Sequence, residues 1–170
     1  PTNSISAFKK ALDIDKADGV ELDIHMTADF EFILYHDKKL DSKTKKAGYI
    51  EELTINQVEG TSYRLGFPYD FFQEEVIISL DSAIRYFKSL TEFPILQLDI
   101  RNYCEKFVSK DNDIWEEKMR ERLIEKLDEY DLDPDRIHLI TISKKMCLFF
   151  MNHSNYKVSY EINKIEEGLD

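Results

Sequence analysis

The feature that most constrains this chain is the stretch Gly19-Val20-Glu21-Leu22-Asp23-Ile24-His25-Met26-Thr27. Val20, Leu22, Ile24 and Met26 alternate with Glu21, Asp23, His25 and Thr27, which is the period of a β-strand. A strand so written projects Glu21 and Asp23 from one face. Adjacent carboxylates repel, so the pair calls for a cation or for solvent. Any fold for this chain must provide one or the other.

The flanking sequence supplies alternating elements. Thr2, Asn3 and Ser4 offer helix caps, and Ile5, Phe8, Ala11 and Leu12 recur at helical spacing, predicting a helix over about 4–16. Ala28-Asp29 reads as a turn before a second β-rich run, Phe30 to His36. Lys38 to Gly48 is lysine-rich and reads as a solvated loop. Thr54 and Ser79 are placed to cap short helices. The segment from Gly60 to Glu75 gathers Tyr63, Phe67, Tyr69, Phe71 and Phe72, either packed over the core or forming a binding rim. Ile95 to Arg101 alternates as a third strand, with Gln97, Asp99 and Arg101 on one face. Asp113 is the expected cap of a long helix whose buried stripe is Trp115, Met119, Leu123 and Leu127, its charged residues facing solvent. Ile137–Ile142 and Tyr156–Ile162 complete five strands, with a helix between them over 144–152. Strands alternating with helices indicate βα units and a parallel sheet, in one domain or a piece of one.

Composition narrows the function classes. With 42% hydrophobic and 12% aromatic residues, the 170 residues can bury a core. A net charge of −11 speaks against nucleic acid as a partner. No apolar run approaches the roughly 18 residues of a membrane span. Cys104 and Cys147 form no Cys-x-x-Cys and read as reduced thiols in or near the core. The chain opens at Pro1 without a methionine, so its compartment is not legible.

Three strands carry titratable groups near their C-terminal ends, where βα folds build active sites: Glu21 with Asp23, His36-Asp37, and Asp99 with Arg101. Oxygen ligands of this kind suit Ca²⁺ or Mg²⁺ better than zinc. His36 is the one candidate able to titrate near neutral pH without a large shift. Arg101 offers a fork of donors suited to a phosphate, although Asp99 and Arg101 two residues apart also fit a same-face ion pair. His25, His138 and His153 receive no role.

In combination these segments resemble a known family. Pro1-Thr2-Asn3-Ser4, Asp18-Gly19-Val20-Glu21-Leu22-Asp23-Ile24, Thr27-Ala28-Asp29 and Tyr35-His36-Asp37 follow the order and spacing of glycerophosphodiester phosphodiesterases over about the first 60 residues. Leu98-Asp99-Ile100-Arg101 resembles the family's Ile-Glu-Ile-Lys strand. The resemblance implies a TIM-type (β/α) barrel that hydrolyses glycerophosphodiesters to an alcohol and glycerol 3-phosphate with a divalent metal. It maps metal ligation onto Glu21, Asp23 and Asp99, proton transfer onto His36 and phosphate binding onto Arg101. The chain departs from the pattern at four places. The family's His-Arg lies upstream of Pro-Glu-Asn-Thr and has no counterpart here, Thr2 replaces a glutamate, and Asp99 and Arg101 replace glutamate and lysine. Such a barrel takes about 250 residues, so the expectation is a partial domain over 1–170, carrying about strands 2 to 6 of the barrel. The rival expectations are a catalytically incomplete copy that only binds metal or a phosphorylated ligand, and a related barrel phospholipase of lysophospholipase D type.

Overall fold

The computed structural model describes residues 2–64, 66–68, 75–101 and 111–161, apart from the side chains of residues 111–113. Its strands are β1 (Gly19–Met26), β2 (Phe32–Leu34), β3 (Ile95–Ile100), β4 (Ile137–Thr141) and β5 (Lys157–Tyr160). They form one sheet in the order β2-β1-β3-β4-β5. Pairing is parallel from β1 through β5, and β2 lies antiparallel to β1. The described strands form an α/β sheet that is an unclosed part of a barrel, as the sequence reading expects.

One strand departs from the expected parallel arrangement, for a reason of length. A parallel crossover needs a dozen or more residues, and only 27–31 separate β1 from β2. They close as a hairpin instead: the Thr27 N–H donates to the Glu31 carbonyl at 2.8 Å, and Phe30 turns the chain at φ 62°. Thr27 Oγ1 donates to Asp29 Oδ1 at 2.7 Å, which stiffens the turn. Four of the five expected strands are therefore parallel.

The helices are α1 (Ile5–Lys9), which runs on as a π-helical turn over Lys10–Ile14, α2 (Ile55–Val58), α3 (Leu80–Lys88), α4 (Asp111–Glu129) and α5 (Lys144–His153). Ser4 caps α1, Ser79 caps α3 and Ser143 caps α5, each hydroxyl accepting a first-turn N–H. Thr54 occupies the cap of α2, with Gln57 Oε1 accepting its backbone N–H at 2.9 Å. Asp113 stands inside α4 rather than at its cap.

The alternation in β1 divides the molecule. Leu22, Ile24 and Met26 enter a core shared with Phe8, Leu98, Ile100, Ile84 and Phe87 of α3, Met119, Leu123 and Leu127 of α4, and Phe150 of α5. Each such side chain contributes about 1.5–3 kcal/mol by leaving water. Glu21, Asp23, His25 and Thr27 take the opposite face. A smaller cluster of Ile33, Tyr35, Leu40, Ile50, Val58, Tyr63 and Ile77 lies under the segment after β2. Gly19 permits the close approach of β1 to β3, since a methyl there would press on the Ile95 carbonyl oxygen.

α4 carries one surprise. Lys126, expected on the solvated face, is buried and meets Glu31 at 3.0 Å and Asp81 at 3.3 Å. The hairpin and the start of α3 supply these carboxylates, and no periodicity within α4 announces them.

Candidate active site

The site begins with register. In the parallel pairing of β1 with β3, Glu21 stands beside Gln97 and Asp23 beside Asp99. Because side chains alternate on both strands, three carboxylates emerge on one face. Oxygens of Glu21, Asp23 and Asp99 lie within 4.8 Å of one another, with Asp23 and Asp99 buried and Glu21 exposed. This donor set fits a hard divalent cation, which takes carboxylate oxygens and leaves room for water and substrate. The electrostatics point the same way. Partial desolvation, then the like charges of Asp23 and Asp99, push the Glu21 carboxyl up to about 7. Burial likewise raises Asp99.

Asp23 is held by an unexpected partner. Asn3, read from sequence as a cap candidate, adopts a left-handed conformation at φ 61° and is buried. Its Nδ2 donates to Asp23 Oδ2 at 2.7 Å, and its Oδ1 accepts the Asp23 backbone N–H at 3.0 Å. The side chain thus fixes both the backbone and the carboxylate of Asp23. Ser4 then starts α1, so capping and positioning fall to consecutive residues. The sequence signal was present: asparagine tolerates φ > 0 better than most residues.

Arg101 follows β3, its N–H donating to the Ile24 carbonyl at 2.9 Å. Its guanidinium lies 2.5 Å from Asp23 and 2.6 Å from Asp99. The ion pair with Asp99 read from the sequence is formed, and it extends to Asp23 on a second strand.

His36 sits just beyond β2, exposed, and close enough to lower the carboxyls of Glu21 and Asp99 slightly. Its Nδ1 lies 2.7 Å from Asp37 Oδ1. A carboxylate there requires a donor, so Nδ1 carries the proton and Nε2 is left to exchange one. Asp37 is itself anchored. Ser42 donates to its other oxygen at 2.7 Å and Lys43 lies at 3.5 Å. Burial raises this carboxyl, but the hydrogen bonds from His36 and Ser42 outweigh it and the net shift is downward.

His25, given no role from sequence, stands behind His36. It is buried and its Nε2 reaches the His36 carbonyl at 3.4 Å, where an acceptor calls for Nε2–H. Burial lowers its pKa to about 4, keeping the ring neutral. His138 bonds Ser159 Oγ at 2.8 Å, and His153 is exposed on the ring of Phe149. Of the aromatic segment, Tyr63 is buried against Tyr35 and Phe67 is exposed, while Tyr69, Phe71 and Phe72 lie outside the described residues. Cys147 is buried and reduced, and Cys104 lies outside the described residues. No described helix is long and apolar enough to cross a membrane.

Comparison with known proteins gives the family and the fold. A glycerophosphodiester phosphodiesterase of Caldanaerobacter subterraneus is 32% identical over 76 residues, covering 45% of this chain and 31% of that protein. The crystal structure of a glycerophosphodiester phosphodiesterase from Agrobacterium tumefaciens superposes with a TM-score of 0.70 at 16% identity, covering 93% of this chain and 60% of that one. The glycerophosphoryl diester phosphodiesterase domain of Rv2277c from Mycobacterium tuberculosis gives 0.69 at 17% identity, over 99% and 57%. The chain thus spans about a third of that curated relative and somewhat over half of the two solved chains. The model of the Glycerophosphoryl diester phosphodiesterase family matches residues 1–166, and the chain belongs to that family.

Proposed function

We propose that the protein hydrolyses a small glycerophosphodiester to an alcohol and glycerol 3-phosphate, with Glu21, Asp23 and Asp99 holding a divalent metal ion, Ca²⁺ or Mg²⁺. The observation that carries this reading is the convergence of those carboxylates on one sheet face, with His36 beside them. When bound, the ion supplies neutralisation of the phosphodiester and of charge growing on its oxygens. The chain's own groups supply the rest. Asn3 keeps Asp23 aimed, and Asp37 with His25 sets the tautomer and backbone of His36. His36 Nε2 exchanges the proton that must reach the departing alcohol oxygen as the P–O bond breaks and a water oxygen takes its place on phosphorus. Arg101 provides positive charge at the mouth of the site.

The test is hydrolysis of glycerophosphocholine by the full-length protein with added Ca²⁺ or Mg²⁺, set against chelator. Metal-dependent release of glycerol 3-phosphate is expected. Its absence with every head group tried would refute the reading. Asp23→Asn should abolish the rise in melting temperature that added metal gives the wild type; an equal rise in both would remove Asp23 from the ligand set.

A further inference from the structure

Arg101 does more than balance charge. Nη2 lies 2.5 Å from Asp23 Oδ1 and 2.6 Å from Asp99 Oδ2, and Nε donates to Asp23 Oδ1 at 2.7 Å. One planar fork therefore joins the two buried carboxylates across β1 and β3. Both contacts on Asp23 fall on Oδ1, whose two lone pairs they fill, and Oδ2 accepts from Asn3 as well. A lone pair engaged by a guanidinium N–H is not available to a metal, and a guanidinium at this distance repels a second cation strongly.

We propose that Arg101 is the resident counter-ion of this site and competes with the divalent ion for Asp23 and Asp99. The proposal rests on the metal reading above. A metal gains Asp23 Oδ1 and Asp99 Oδ2 only when Arg101 has let go of them, and the freed guanidinium then faces the opening as an anion-binding group. Arg101 thus has two exclusive sets of partners. The ion pair holds the carboxylates together without metal and sets the metal concentration at which the site fills. The conservative exchange with lysine is not neutral here, because an ammonium is a point charge and cannot bridge two carboxylates as a fork.

The experiment is titration of Ca²⁺ and Mg²⁺ alone into the full-length protein by calorimetry, for wild type, Arg101→Gln and Arg101→Lys, with metal-free melting temperatures alongside. Arg101→Gln should bind metal at least tenfold more tightly while melting lower without it. Arg101→Lys should fall between the two. A role confined to stability would lower melting without raising affinity. Metal binding by the wild type with equal or weaker binding by Arg101→Gln overturns the competition and leaves the metal site standing. If Arg101→Gln does not fold, Arg101→Lys decides alike: affinity above wild type supports the proposal, and equal or lower affinity overturns it. No metal binding by any of the three overturns the metal reading and this proposal with it.

Discussion

Asn3 gives the sharpest quantitative prediction, because its side chain meets one partner through two hydrogen bonds of known kind. Replacing it by glycine keeps the left-handed backbone at φ 61° and removes both bonds. The bond to the Asp23 carboxylate is worth about 1.5–3 kcal/mol, and leaving the Asp23 N–H buried without an acceptor costs a further 1–3 kcal/mol or so. Partial entry of water into the gap offsets some of this, so Asn3→Gly should cost about 3 kcal/mol. Asn3→Ala should cost about 1 kcal/mol more, since alanine pays for a positive φ. Urea denaturation of the metal-free full-length protein measures both. At about 2–4 °C per kcal/mol for a domain of 150–250 residues, the glycine variant should melt roughly 6–12 °C lower. The decisive control is the double variant Asn3→Gly/Asp23→Asn. If Asn3 acts by holding the Asp23 carboxylate, its loss costs at least about 1 kcal/mol less once that charge is gone. Additive costs, or a cost below about 1 kcal/mol for the single variant, would show that Asp23 is held by other groups and that Asn3 merely shapes the turn.

The remaining predictions concern charged groups. His25, with its pKa lowered from 6.5 to about 4, binds a proton in the unfolded chain before it does in the folded one. Its contribution is present above pH 6.5 and is lost as the pH falls towards 4, about 3 kcal/mol in all. Glu21, raised to about 7, works in the opposite sense: its contribution is present below about pH 4.5 and is lost as the pH rises through 7. Between pH 4.5 and 6.5 the two oppose each other, so melting temperatures of metal-free His25→Asn should fall less on acidification than those of the wild type, and Glu21→Gln should fall more. Lys126→Met should cost about 2–3 kcal/mol in urea denaturation, because Glu31 and Asp81 lose their shared cation while remaining partly solvated. A loss under 0.5 kcal/mol would mean that water replaces the ammonium.

Most of the candidate site was legible because its residue types and their strand phase are local facts. The alternation of β1 put Glu21 and Asp23 on one face, and the same rule put Asp99 and Arg101 on one face of β3. The hairpin was legible as well, had the short link between the first two strands been weighed against the length of a crossover. Other residues gave no such notice. The helical phase of α4 puts Lys126 seven residues after buried Met119, but the carboxylates that let a lysine be buried there come from β2's turn and α3, which the helix does not announce. His25 reads as one more polar residue on the strand until the His36 carbonyl is seen above it.

The sequence by itself determined most of the elements, the cap at Ser79, the hydrophobic stripes and the face from which each acidic side chain departs. Those follow from backbone geometry that repeats every two or 3.6 residues. Only the tertiary structure decided that Asp23 and Asp99 stand side by side, that Asn3 reaches across to hold Asp23, and that Arg101 closes on both carboxylates. Periodicity carries the phase of a strand, but neither its neighbour nor its register. Register is set when the buried faces of β1 and β3 lock against the helices, and the charges on the opposite face are brought together by that packing.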